Sequence, residues 1–384
     1  MIKLSKIFMT NLSQNSNKFH LIIQTNSPGE LAAWVRPVVK TCQQRIANLF
    51  ITVCLVPCQY ATGQEATVAA TIEGVDQVLT PKQTVLFLFG FSSLSKQAKQ
   101  GAVLCLGGDP FYSQLLAWRL GFSASVYTEH RKKPGMFFKH IFYKHTHGDL
   151  MQVNIAHYLA KAPSREALLK QYSLPDRSYV LVFLGSRPHH FKAFGKVALD
   201  AIRSFLLQQS SIDVLVSIAP TISDDVFQSL DTSSLDDRVF FLRGNSLDFM
   251  TIAMCMMSLP GTNTAEAMYM QLPMVTVLPL NRPDLLELDG LVGLLGSLPF
   301  FGKFIKQLAI YIYLKKRPFV SLPNRIAGTM IIPEWVRNVS ASQLADDLGA
   351  FATDQALLNK IRHDLKSICS KNQIDSYISD TISS

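Results

Sequence analysis

Four consecutive residues, Gly261-Thr262-Asn263-Thr264, lie between two apolar runs, with Glu266 one helical turn further on. A polar turn between a buried strand and a helix leaves first-turn N–H groups free for an anion, and a glycine lets a ligand approach the chain closely. A diphosphate suits such a turn. Glu266 is itself negative, so it suits hydroxyl groups, such as those of a ribose, rather than phosphate. The same residues would also arise if Asn263 or Thr264 merely capped the helix and Glu266 were a solvated first-turn acid. A second cluster, Gly185-Ser186-Arg187, follows the apolar run YVLVFL. A strand-end turn has no obvious need for a cation, which favours a functional over a purely structural Arg187; His189 and His190 come next and could touch the same ligand or simply be surface residues. A third, Gly107-Gly108-Asp109, follows AVLCL. Asp109 offers a carboxylate able to take a proton, and equally an N-cap with Pro110 in the first helical position. Glu30 and Glu129 also follow strand-like runs as weaker alternatives, and a capping box with Ser27 accounts for Glu30.

These turns need strands and helices to hold them. Buried strands are predicted at His20–Gln24, Leu49–Val56, Ala102–Leu106, Ala124–Tyr127, Tyr179–Leu184, Asp213–Ile218, Val239–Leu242, Met254–Leu259 and Met274–Leu278, with helical segments between them. Strands alternating with helices imply parallel, doubly wound sheets, whose ligands bind outside the carboxyl ends of the strands. A chain of 384 residues suits two such domains. The expected division is a first Rossmann-like domain over 1–165, with 1–16 a ragged extension, a second over 166–350, and C-terminal helices over 351–384 packing back toward the first. Ser340 is the expected cap of the C-terminal helices.

The net charge of +9 favours an anionic partner. Much of the excess lies in residues 131–147, where Arg131, Lys132, Lys133, Lys139 and Lys144 interleave with Phe137, Phe138, Phe142 and Tyr143, and in Lys315-Lys316-Arg317. Aromatics between cations suit lipid headgroups or stacking on bases, and equally a solvated basic face whose aromatics turn to the core; no nucleic-acid motif accompanies them. The apolar stretch from Gly290 is broken by Pro299, Lys303 and Lys306, so it reads as a monotopic surface segment rather than a span. Six scattered cysteines indicate neither a disulfide framework nor a zinc site. With an N-terminus that lacks a signal-peptide core, this points to the cytoplasm and the inner face of a membrane.

The segments PGTNTAEAMYMQLPMV, VSLPNRIAGTMIIPEWV and FLGSR, in their order and spacing, resemble the lipid-A-disaccharide synthases, glycosyltransferases of the GT-B fold, over roughly the second half of the chain. The resemblance implies an α/β GT-B architecture, two Rossmann-like doubly wound parallel-sheet domains facing a cleft. It also implies inverting transfer of an acylated glucosamine from UDP to an acylated glucosamine phosphate or a related lipid-linked acceptor, without a metal or other cofactor. Carried over, Gly185 and Ser186 border the donor site and Gly261, Thr262 and Asn263 cradle the diphosphate. Glu266 then holds the ribose, Arg187 neutralises the leaving UDP, and Asn324 helps shape the pocket. Asp109 is the base. The first half departs from the family. LGGDPFYSQ stands where it carries a Gly-Ile-Asp-Ala-Pro-Asp-Phe type motif, so one aspartate is kept and one lost, and TNSPGELAAW replaces a Gly-Glu-x-Ser-Gly-Asp loop. This indicates a divergent branch. Two other readings are a UDP-sugar epimerase of the same architecture and a non-catalytic membrane-surface protein that retains UDP binding.

Overall fold

The structure, a computed structural model, describes residues 18–58, 63–92, 94, 100–130, 132–233, 235–282, 318–369 and 373–383. Two compact units divide it: Met1–His157 with Lys371–Ser384, and Tyr158–Ser370.

The first unit is built on a sheet of β1 (Phe19–Thr25), β2 (Leu49–Leu55), β3 (Gln77–Leu79), β4 (Gln100–Cys105), β5 (Ser123–Thr128) and β6 (His140–Tyr143), in the order β3-β2-β1-β4-β5-β6. All its pairings are parallel. Burial on both faces explains why the central strands are unbroken apolar runs rather than alternating ones. The second unit repeats the plan with β7 (Ser178–Phe183), β8 (Ile212–Ile218), β9 (Val239–Arg243), β10 (Cys255–Ser258), β11 (Met274–Pro279) and β12 (Glu334–Arg337), ordered β12-β11-β10-β7-β8-β9 and again parallel. The α/β fold class with two doubly wound parallel sheets is as expected. In each sheet the winding direction reverses once, between β1 and β4 and between β7 and β10, and a reversal opens a crevice at the carboxyl ends of the two strands.

Three strands lack a counterpart in the sequence reading: β3, β6 and β12. The division falls between His157 and Tyr158 rather than at 165–166, and helices Leu150–Leu159 and Arg165–Gln171 occupy the expected junction. Of the C-terminal helices, Ala341–Thr353 and Gln355–Ile368 belong to the second unit; only Ile374–Ser383 returns to the first. Ser340 caps as expected, accepting from the Gln343 amide, and Asp354 breaks the run by capping the next helix through Leu357 N. Helix Ile374–Ser383 packs on Arg36–Arg45, placing Ile374, Ile378 and Ile382 in one core with Val38, Val39 and Cys42. Buried Asp375 accepts a 2.5 Å bond from Thr41 Oγ1.

The basic aromatic segment 131–147 is split by the fold. Phe138 and Phe142 enter the core, whereas Met136 and Phe137 are exposed. Arg131, Lys315-Lys316-Arg317, the N-terminal extension and the apolar stretch from Gly290 lie outside the described residues. Among the described residues no helix is long and apolar enough to cross a membrane.

Candidate functional site

The reversal point of the second sheet carries the residues expected from the sequence at a donor site. β7 and β10 are neighbours, pairing Phe183 with Ser258. The loops that follow them, 184–187 and 259–261, therefore emerge side by side. Gly185 has φ +107°, a region side chains rarely adopt, and a Cβ there would lie 2.8 Å from His190 Cβ. Glycine is required by both conformation and space. The Ser186 carbonyl accepts from Thr221 Oγ1, which ties this turn to the loop after β8. Arg187 is half-buried at the cap position of helix Pro188–Gln208, with no side-chain cap bond.

Helix Thr262–Tyr269 begins at Gly261 without a side-chain cap. Asn263 and Thr264 therefore do not serve as its cap. Thr264 instead turns inward and donates 2.7 Å to the Gly261 carbonyl, which locks the turn. A Cβ at Gly261 would meet nothing within 4 Å, so the space in front of the turn is open. Gly261 and Thr262 are exposed and Asn263 half-buried. One turn further on, Glu266 is 7% exposed, and Ser246 Oγ, from the loop after β9, approaches its Oε2 at 3.4 Å. A helix N-terminus, an arginine and a carboxylate thus border one crevice, an arrangement that can hold a diphosphate by its oxygens and a diol by its hydroxyls.

Asn324 is fully buried and occupied. Nδ2 donates to Ile332 O and Glu334 Oε1, both at 2.9 Å, while Oδ1 accepts from Ile331 N at 2.8 Å and Ile332 N at 2.9 Å. Four bonds exhaust an amide side chain. Glu334 also accepts from Val320 N, Ser321 N and Ser321 Oγ, so the distinctive Ser-Leu-Pro-Asn and Pro-Glu pair is a knot joining helix Leu322–Ala327 to β12. That helix packs against helix Thr262–Tyr269. The geometry gives Asn324 a part in holding the donor helix rather than in touching a ligand. Ser246 and Thr221 escaped the sequence reading; Ser246 had the detectable signal of following a strand-like run and an Asn cap.

The reversal point of the first sheet carries the other set. Buried Gln24, in β1, donates to the carbonyls of Gly107 at 2.8 Å and Asp109 at 3.0 Å, pinning the loop after β4. Asp109 is exposed and caps helix Pro110–Leu120, with Oδ1 accepting from Phe111 N at 2.9 Å. Glu30 completes the expected box with Ser27: Glu30 N donates to Ser27 Oγ, and Oε2 accepts from Ser27 N, Asn26 N and Thr25 Oγ1. Burial pushes its carboxyl above the usual range, against the opposing pull of those bonds, that from Asn26 N first. Glu129 pairs with Lys144 at 2.5 Å, and Lys144 also holds Asp149 at 3.0 Å. A cavity of about 510 Å³ opens here, lined by Glu30, Trp34, Gly107, Thr128, Lys132 and Lys133 among others. Cys105 also lines it, but burial pushes its thiol up to about 11, far from a nucleophile's range.

No family model matches the chain. It is 26% identical over 198 residues to lipid-A-disaccharide synthase 2 of Legionella pneumophila (strain Paris), covering 51% of this chain and 43% of that one. It is 25% identical over 223 residues to the lipid-A-disaccharide synthase of Alteromonas mediterranea, covering 55% and 52% respectively. The chain thus spans about half the length of the curated relatives it matches. Among solved structures, a putative UDP-N-acetylglucosamine 2-epimerase from Listeria monocytogenes superposes with a TM-score of 0.50 at 10% identity, over 95% of both chains. The wall teichoic acid polymerase TagF superposes with a TM-score of 0.50 at 11% identity, over 96% of this chain and 89% of that one. The chain has the GT-B fold and, over about half its length, is similar to the lipid-A-disaccharide synthases.

Proposed function

We propose that the protein is an inverting glycosyltransferase that takes a sugar from UDP and delivers it to an acylated or lipid-linked sugar at an anionic membrane surface. The observation that carries this reading is the uncapped, open turn at Gly261, beside Arg187 and with Glu266 buried one turn behind it. A departing diphosphate gains negative charge in the transition state, so donors already aimed at it lower the barrier. Gly261, Thr262 and Asn263 present the turn, Gly185 and Ser186 border it, Arg187 meets the developing charge and Glu266 holds the ribose. The reaction so written needs no metal. An attacking hydroxyl must also give up a proton, and Asp109 is the proposed base.

The membrane part of the reading is supported by four large apolar side chains, Phe111, Trp118, Met136 and Phe137, each more than half exposed. They border a groove of about 640 Å³ that also includes Lys139. Contiguous exposed apolar surface beside cations suits a lipid headgroup layer.

The test is calorimetric titration of the whole protein with UDP and UDP-N-acetylglucosamine, beside Glu266→Ala. Binding that the substitution weakens at least tenfold, with unfolding unchanged, supports the donor site. No binding by the unaltered protein overturns it and leaves a protein without the proposed donor. Conversion of the UDP-sugar to its epimer without any acceptor would replace the transferase with an isomerase.

A further inference from the structure

Helix Pro110–Leu120 turns Ser113, Leu116 and Ala117 into the core of the first unit. The outer stripe of a surface helix is ordinarily polar. Here it is apolar: Phe111, Leu115 and Trp118 follow one another at i, i+4 and i+7, with Phe111 57% and Trp118 83% exposed. Loop 132–139 lies alongside. Phe138 is buried in the same core as Leu116 and Ala117, and Lys139 N donates to Ala124 O at 2.7 Å. Gly135 lies so close to Gln114 that a Cβ would collide with the side-chain amide. Pinned at these points, the loop holds Met136 and Phe137 out beside the helix, and the two elements border the groove of about 640 Å³.

The same two elements also wall the cavity of about 510 Å³ at the strand ends of the first sheet. Pro110 borders the cavity and Phe111 the groove; Lys132, Lys133 and Pro134 border the cavity, Met136 and Phe137 the groove. Within one or two residues of each segment, a cationic recess gives way to an apolar trough. The trough follows the helix from Phe111 to Trp118, about 10 Å at 1.5 Å per residue. The acids of the recess are already engaged, Glu129 by Lys144 and Glu30 Oε2 by Thr25 Oγ1 and the amides of Asn26 and Ser27. Lys132 and Lys133 are exposed, and no acid occurs from His130 to Gly148.

We propose that cavity and groove together form one site on the first unit for a single anionic amphiphile. Its charged head lies against Lys132 and Lys133, and its hydrocarbon chain runs between Phe111 and Trp118 on one side and Met136 and Phe137 on the other. As the place of the acceptor this rests on the transferase reading above; as a binding site it belongs to the first unit alone. The two ends select together. A small free anion would leave the trough uncovered, and an uncharged hydrocarbon would leave the lysines unanswered. A second copy of the chain docked by the same face would set lysine against lysine. Both spaces fall within the roughly 300–1,000 Å³ usual for small-molecule sites.

The experiment titrates the full chain by calorimetry with n-decyl phosphate held below its micelle concentration, beside n-decyl maltoside, inorganic phosphate and phosphatidylglycerol vesicles. Trp118 emission is followed in parallel, with Trp34 and Trp335 replaced by phenylalanine. The expected result is saturable binding of one decyl phosphate, at least tenfold tighter than decyl maltoside or phosphate, with Trp118 emission moving to shorter wavelength. Lys132→Gln with Lys133→Gln should weaken decyl phosphate at least fivefold and bring it level with the maltoside. Trp118→Ser with Phe137→Ser should weaken it at least tenfold. All four side chains are exposed, so thermal unfolding and UDP affinity should stay unchanged in both variants. Equal affinity for decyl phosphate and decyl maltoside, or decyl phosphate binding that either pair leaves intact, overturns the site. Binding to vesicles with none to the monomeric amphiphile also overturns it and makes the face a membrane-docking surface. UDP binding in a protein that fails these tests leaves the donor reading standing without this site. Decyl phosphate binding as expected in a protein that does not bind UDP keeps the site and overturns the donor reading.

Discussion

Replacing Asn324 with alanine separates a structural knot from a ligand contact, and its cost follows from four bonds. The change removes every partner of Ile331 N, Ile332 N and Ile332 O in this knot, together with one donor to Glu334. Ile332 is 1% exposed, so water does not replace the amide at its backbone. Orphaning a buried donor or acceptor costs about 1–3 kcal/mol, and a replaceable bond about 0.5–1.5 kcal/mol. Two dry groups and two wetter ones give about 3–9 kcal/mol for the second unit. For a unit of this size each kcal/mol lowers Tm by about 2–4 °C, so the midpoint should fall on the order of 10 °C. The assay is urea unfolding followed by Trp335, which lies in β12 beside the knot, with Trp34 and Trp118 replaced by phenylalanine so that only this unit reports. Asn324→Asp should cost at least as much, because it keeps the shape, loses both donors and sets a carboxylate against Glu334. A loss below about 1 kcal/mol at unchanged m would refute the reasoning.

Other outcomes follow from the same structure. Gly185→Ala forces a side chain into φ +107° and against His190, so it should cost about 1–3 kcal/mol and weaken UDP binding, measured by thermal shift and calorimetry. Burial lowers the His20 pKa to about 4 from 6.5. The unfolded chain then binds more protons between those values. Stability should therefore be full above pH 6.5 and fall as pH drops toward 4, by roughly 1–3 kcal/mol, a slope that His20→Gln should flatten in pH-dependent denaturation. Asp375→Ala leaves Thr41 without its acceptor and should destabilise the first unit by about 1–3 kcal/mol while leaving UDP affinity unchanged.

Central strands and the polar turns that follow them were legible because both are local in the chain. β1, β7 and β10 are continuous apolar runs ending in Gly-containing polar turns, a pattern that buried parallel strands and ligand loops impose directly. β3, β6 and β12 were not legible because each is a sheet edge, short and half-buried, with side chains that no periodicity distinguishes from a loop. The break at Asp354 was hidden because apolar spacing continues across it. For Asn324 the residue was visible, but the destination of its hydrogen bonds was not. Whether an amide faces a ligand or a neighbouring backbone is decided by residues such as Ile332 and Glu334, whose approach depends on the tertiary fold. Glu30 shows the converse: the capping box read from sequence is real, yet the same carboxylate also lies against Gly107, a residue far along the chain.

The return of Ile374–Ser383 to Arg36–Arg45 gives the protein an order of assembly. The ribosome makes Tyr158–Ser370, the whole second unit, before it makes the helix that completes the first. At roughly 5–20 residues per second that interval lasts on the order of 10–40 s. Throughout it, the face around Val38, Val39 and Cys42 that later receives Ile374, Ile378 and Ile382 is uncovered in the nascent chain. The second unit can reach its native state while still tethered, whereas the first closes only near the end of synthesis. Slowed elongation or premature release within Tyr158–Ser370 would therefore yield a chain able to fold its later half and prone to aggregate through its earlier one.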